Sequence, residues 1–333
     1  MSKDRVAFLD AIRGLASLFV LVQHVAEEYL LPYKVFSRDF FDLGLLGVIM
    51  FFFLSGYVAP YSFRRGFPAY AVSRFMRIMP LAIIAITVSA LIEIYVYGGS
   101  SLTLISFLFN AMLINEYLGY EYVNGVTWTL SIEIAWYFLF AFYITKLKKS
   151  SFFKLYISFA VLLVFVTCFF HFYGARFPVG RPMLVLAACG GYLAYLFVNK
   201  EYGSVGSSAV LLVFYATLIF CFYMVFYLNP HSYLGFEAVL FPWLAAPLLC
   251  ILIYKVYNTK FFYFKKASSI LTFMGGVSFS LYLFHSEVRD LFLFFFGRSL
   301  WLVMPIVAAS YLVSYLSYKL LEVSFIKLGK RIV

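Results

Sequence analysis

Apolar runs of about twenty residues follow one another from Val6 to Leu321, parted by short segments that hold most of the lysines and arginines. As a helix, one such run crosses the ~30 Å hydrocarbon layer of a bilayer at ~1.5 Å per residue. A succession of them rules out a water-soluble core and fixes the fold class as all-α, a polytopic membrane helical bundle. Hydrophobic residues form 64% of the 333-residue chain and charged ones 12%, which leaves no stretch for a separate soluble domain. The whole of 1–333 therefore reads as one integral membrane domain. A net charge of +11 is compatible with nucleic-acid binding. The cations lie in short loops between apolar runs, however, where they set orientation rather than choose a partner, so no nucleic acid is expected. The lipid bilayer is the first partner.

The runs read as spans 6–29, 40–63, 80–97, 128–145, 152–173, 182–198, 208–228, 237–257, 270–295 and 301–321, about ten crossings. Lys3 and Arg5 precede the first, so the N-terminus is expected in the cytosol, and Lys327, Lys330 and Arg331 place the C-terminus there too. A basic loop with Arg64, Arg65, Arg74 and Arg77 follows the second span. The apolar piece Leu102 to Ile114 covers only ~20 Å as a helix and is followed by Glu116 and Glu121 without a cation. It reads as a short re-entrant or interfacial helix. Leaving it out of the count brings Lys146, Lys148, Lys149, Lys200, Lys260, Lys265 and Lys266 to the cytosolic side. The first span carries Arg13 and has no good cleavage site at its end, so it reads as a retained anchor. The cysteines Cys168, Cys189, Cys221 and Cys250 lie within apolar runs without CxxC spacing, and imply neither a disulfide nor a metal.

Inside the first span stand Asp10, Arg13, Gln23 and His24. Ionisable groups within a membrane are costly, and each is a functional candidate. Eleven residues separate Arg13 from His24, which is about 1100° of helix, roughly 20° beyond three turns. The two share a face, about 16 Å apart along the axis. Asp10 can pair with Arg13 one turn away. The competing reading is that Arg13 and His24 snorkel to opposite surfaces. Counting depth along the other spans puts Glu133 and His285 at the level of His24, with Trp128 and Ser131 near it. Arg13, Arg74, Arg77 and Glu322 fall nearer the cytosol. Two polar layers result. The inner one is cationic, and Arg74 and Arg77, three apart, share a helical face that suits phosphates. The outer one holds imidazole and carboxylate, the groups of acid/base chemistry, and Glu133 is positioned to fix the tautomer of an imidazole. No GxSxG context marks a serine nucleophile.

Several blocks in order resemble the acyltransferase-3 family of integral membrane acyltransferases over about 5–325. They are Leu9-Asp10-Ala11-Ile12-Arg13-Gly14-Leu15-Ala16 with His24 beyond it, Phe51-Phe52-Phe53-Leu54-Ser55-Gly56-Tyr57, and Arg74-Phe75-Met76-Arg77-Ile78-Met79-Pro80. Thr127-Trp128-Thr129-Leu130-Ser131-Ile132-Glu133, the run Ser278 to His285, and a tail at Leu321-Glu322 complete the set. The tail departs from the common Glu-x-Pro, reading Glu322-Val323-Ser324. The resemblance implies an enzyme of a bacterial-type cell membrane that moves an acyl group, usually acetyl, from cytosolic acetyl-CoA or another acyl-CoA. The acceptor it implies is a hydroxyl of an envelope or exported glycan, or of a lipid-linked saccharide. His24, Arg13 and Glu133 are then the expected catalytic residues. Arg74, Arg77 and Arg13 are expected on the acyl-CoA, and Trp128, His285, Ser55 and Tyr282 on the acceptor. No metal is expected. His24 acts as general base or as a transient acyl carrier. The rival from a different class is a glycan or lipid-linked substrate transporter without acyl chemistry, and the lack of an internal repeat counts against it.

Overall fold

The computed structural model describes residues 3–98, 102–146, 151–175, 177–199, 207–227, 235–258 and 264–332, and among these there is helix and no strand. In chain order the helices are α1 (Lys3–Tyr29), α2 (Leu31–Asp39), α3 (Leu43–Phe63), α4 (Phe67–Tyr95), α5 (Leu104–Ala111), α6 (Trp128–Lys146) and α7 (Phe152–Phe172). There follow α8 (Gly180–Val198), α9 (Ser207–Phe222), α10 (Phe236–Asn258), α11 (Phe264–Phe296), α12 (Val303–Ser317) and α13 (Val323–Ile332). Nine helical stretches of the described residues are long and apolar enough to cross a membrane. The remaining expected span, 270–295, belongs to α11, whose 33 residues are long enough to cross. α5 has eight residues, ~12 Å of helix, and cannot cross.

One boundary differs from expectation. α4 begins at Phe67, with Pro68 in its first turn and Pro80 inside it. Proline is favoured at a helix start, and two candidates stand twelve residues apart; the chain uses the earlier one. Arg74 and Arg77 are thus residues of a helix, not of a basic loop. Arg64 and Arg65 are exposed in the turn before α4, as orienting cations should be. Lys148, Lys149, Lys200 and Lys260 lie outside the described residues, as do the side chains of Lys3, Arg5, Lys265 and Lys266.

α1 packs between α3 and α11, and α3 packs on α8. Lipid tails are as apolar as leucine, so close packing, not water exclusion, holds such helices together. Glycine provides it here. A Cβ on Gly56 would lie 1.7 Å from the Ala188 carbonyl oxygen, and one on Gly191 would lie 1.8 Å from that of Phe53. Gly56→Ala is therefore expected to separate α3 from α8 and to lower stability by about 1–3 kcal/mol or more. Gly190→Ala is the control, because its added methyl would meet only the Phe53 ring at 3.8 Å. Thermal unfolding of both variants in detergent checks the pair, and an unchanged Gly56→Ala would refute the close contact.

Beyond α12 the helix widens into a π-turn, Tyr318–Glu322, before α13. Such turns redirect a side chain without ending a helix. Here Glu322 is 4% exposed and accepts a hydrogen bond from Ser280 Oγ of α11 at 2.8 Å. The departure at Val323-Ser324 leaves the helix unbroken.

Candidate active site

Two adjoining cavities open between α1, α3, α4, α6 and α11. The inner one, about 80 Å³, is lined by Arg13, Ser55, Arg74, Arg77, Glu133 and Tyr137, among others. Arg13 Nη1 is held 3.0 Å from Asp10 Oδ1, one turn back on α1. The Arg74 guanidinium lies over two rings, 4.9 Å from the centroid of Tyr137 and 5.7 Å from that of Tyr70. Its Nη1 donates to the Tyr137 hydroxyl at 3.3 Å. That hydroxyl donates to Glu133, and Ser55 Oγ donates to Glu133 Oε1 at 3.1 Å. Arg77 has no hydrogen-bond or ion-pair partner among the described residues. Three guanidinium groups against two engaged carboxylates, Asp10 and Glu133, leave positive charge and the unused donors of Arg77, which suits phosphate.

The outer cavity is about 530 Å³ and is lined by His24, Gln23, Trp128, Glu287 and Arg289 among others. The rings of His24 and His285 lie side by side, tilted by 34° with their centroids 5.1 Å apart. His285 Nδ1 lies 3.0 Å from the Leu281 carbonyl oxygen, which assigns the proton to Nδ1. Its Nε2 is then a buried acceptor without a partner. Two residues on, Glu287 Oε1 accepts from Ser89 Oγ at 2.5 Å and from Asn124 Nδ2 at 2.6 Å. Asp42, which precedes α3, also lines this cavity and caps the helix through the Leu45 N–H at 2.8 Å.

Val48 and Tyr282 line both cavities. Tyr282 is fixed there, its hydroxyl donating to the Val126 carbonyl at 3.0 Å and lying 2.8 Å from Thr129 Oγ1.

The α1 face is as its spacing predicts: Arg13 on the inner cavity and His24 on the outer, with Tyr282 between. Trp128 joins His24, while Ser55, Arg74 and Arg77 join Arg13. Glu133 is a correction. Its depth suggested a partner for His24, but α6 turns it into the inner cavity, where Ser55 and Tyr137 engage it. The neighbour of His24 is His285. Ser131 lines neither cavity and bonds to the Trp128 carbonyl of its own helix at 2.7 Å. Tyr137 and Glu287 were missed. Tyr137 stands four residues after Glu133 on the same helix face, and Glu287 is an ionisable residue within an apolar segment, the signal that marks His24.

Membrane-spanning helices around a guanidinium cluster, with an imidazole pair in the adjoining chamber, are a plan suited to a membrane-embedded acyl-transfer enzyme. A family model described as an acyltransferase domain matches residues 6–319, nearly the whole chain. The chain belongs to that family, the acyltransferase-3 family, and is a multi-pass membrane acyltransferase. No curated protein and no solved structure matches it.

Proposed function

We propose that the protein is an O-acyltransferase that moves an acyl group, acetyl first among them, from cytosolic acyl-CoA to a hydroxyl of a cell-envelope or exported glycan. One observation carries the reading: a guanidinium-rich chamber and an imidazole chamber adjoin, with Tyr282 and Val48 common to both. Arg13, Arg74 and Arg77 hold the phosphates and thioester end of the donor. The thioester passes Tyr282 to reach His24. His24 takes the proton of the acceptor hydroxyl, and the hydroxyl oxygen attacks the thioester carbonyl. The tetrahedral intermediate collapses with cleavage of the carbon–sulfur bond. The departing CoA sulfur takes the proton back from His24, leaving the ester and free CoA. His285 Nε2, an acceptor beside His24, steadies the imidazolium, the part the sequence assigned to Glu133. Glu133 holds Tyr137 and Ser55 against Arg74 instead.

The test uses purified protein in nanodiscs, isotope-labelled acetyl-CoA, and envelope glycan extracted from cells lacking the gene. Free CoA should appear only with glycan, and mass spectrometry should find a labelled, alkali-labile ester on it. Release of CoA that never depends on glycan would reject the reading, as would identical ester content with and without the gene.

A further inference from the structure

The two chambers are oppositely charged. Five carboxylates stand on the outer wall, Glu27, Asp42, Glu93, Glu287 and Asp290, with a single guanidinium, Arg289. Arg289 is occupied by Asp290, its Nε and Nη2 lying 2.8 and 2.7 Å from Oδ1. The other carboxylates have no counter-cation on this wall. They are spread around it rather than convergent, and among the described residues no group of three His, Cys, Asp or Glu is close enough to hold a metal ion.

Glu287 is held rigidly on this wall. Its side chain is 7% exposed, and Ser89 and Asn124 fix its carboxylate through Oε1. Its other oxygen, Oε2, is enclosed by protein and has no hydrogen-bond partner. Trp128 offers a flat apolar face on the same wall. The volume, about 530 Å³, is that of a small-molecule site.

We infer that the outer chamber selects its ligand by charge: it admits a polyhydroxylated sugar residue that is neutral or bears an amine, and rejects sugars bearing carboxylate, phosphate or sulfate. The inference rests on the proposed function only in calling that ligand the acceptor. Because the inner chamber has the opposite sign, the same rule keeps the anionic part of an acyl-CoA from advancing beyond Tyr282.

The experiment measures binding to the full chain in nanodiscs, without acyl-CoA, by saturation-transfer NMR. Its probes are three para-nitrophenyl β-glycosides that differ in one group: the glucoside, the glucosaminide with a free amine, and the glucuronide. The first two are expected to bind, and the glucuronide to bind weaker by about tenfold or more. Glu93 has no hydrogen-bond or ion-pair partner among the described residues, so Glu93→Gln removes charge without breaking a contact. It should narrow the gap between glucoside and glucuronide by about threefold. Glu287→Gln keeps the oxygen that Ser89 and Asn124 use, removes an acidic group from the wall, and should weaken the glucosaminide most. A glucuronide that binds as well as the glucoside would overturn the inference, as would binding of none of the three. Adding acetyl-CoA separates this from the proposed function: charge-ordered binding with no ester formed rejects acyl transfer alone, and ester formed best on the glucuronide rejects charge selection alone.

Discussion

Replacing His24 by alanine is expected to lower acyl transfer by about a thousandfold or more while the protein still folds and still binds acyl-CoA. The expectation of folding rests on α1, where Leu21 and Val25, both within 1% of full burial, carry the packing around this position. His24 itself faces the outer cavity. Donor binding should persist because the guanidinium groups belong to the inner one. His24→Gln sharpens the test. Glutamine can hydrogen-bond a sugar hydroxyl but cannot take its proton at neutral pH, so it should be as inactive as alanine. Single-turnover transfer from labelled acetyl-CoA to a glycan acceptor gives the readout. A glutamine variant within tenfold of the parent would remove the general-base role. Labelled acyl group trapped on His24 without acceptor would replace that role with covalent carriage. His285→Gln should cost less, about tenfold, and should move the pH profile of transfer, because it alters the neighbour of the base and not the base.

The second large effect belongs to the inner chamber. Arg77→Ala is expected to raise KM for acetyl-CoA by about ten- to a hundredfold with kcat little changed. Arg77 is the lining guanidinium with no hydrogen-bond or ion-pair partner among the described residues, whereas Asp10 engages Arg13, and Tyr137 and Tyr70 engage Arg74. Its donors are the ones free for a phosphate. KM for the glycan should not move. Arg74→Lys, conservative in charge, should lose both ring contacts and behave as a substantial loss, since an ammonium cannot reproduce a stacked, planar guanidinium. Titration of each variant with acetyl-CoA, and separately with pantetheine acetyl thioester, discriminates: the phosphate-free analogue should not distinguish Arg77→Ala from the parent. Equal loss with both donors would show that Arg77 does not read phosphate.

The inner and outer layers were legible because they follow from distance along single helices. Eleven residues place Arg13 and His24 on one stripe whatever the neighbours do, and α1 keeps them there. Rotation of one helix against another is not written in spacing. Counting depth along α6 sets Glu133 level with His24, yet the structure has it on the inner cavity, engaged by Ser55 and Tyr137. The start of α4 failed for a different reason. Pro80 and Pro68 both offer the fixed backbone angle a helix start favours, and only the packing of the helix around Arg74 decides between them. Glu287 lies within the expected span 270–295, but Ser286, Arg289 and Asp290 beside it are polar too, so sequence alone does not single it out. The ligands that place it in the interior, Ser89 and Asn124, come from α4 and from the segment before α6, about 200 and 160 residues away in sequence.

Chemistry conducted from one side of a membrane to the other carries a danger that soluble enzymes never face, which is leakage. An uninterrupted aqueous passage from cytosol to exterior would dissipate the gradient of protons and ions on which the cell runs, at about 2.3 kcal/mol for each unit charge per 100 mV. Tyr282, anchored by Val126 and Thr129 and shared with Val48 between the two chambers, stands where such a passage would have to open. A neutral acyl group can be handed across it without moving net charge, so turnover on the proposed route would be electrically silent. The phenol ring would serve as the cell's insulation.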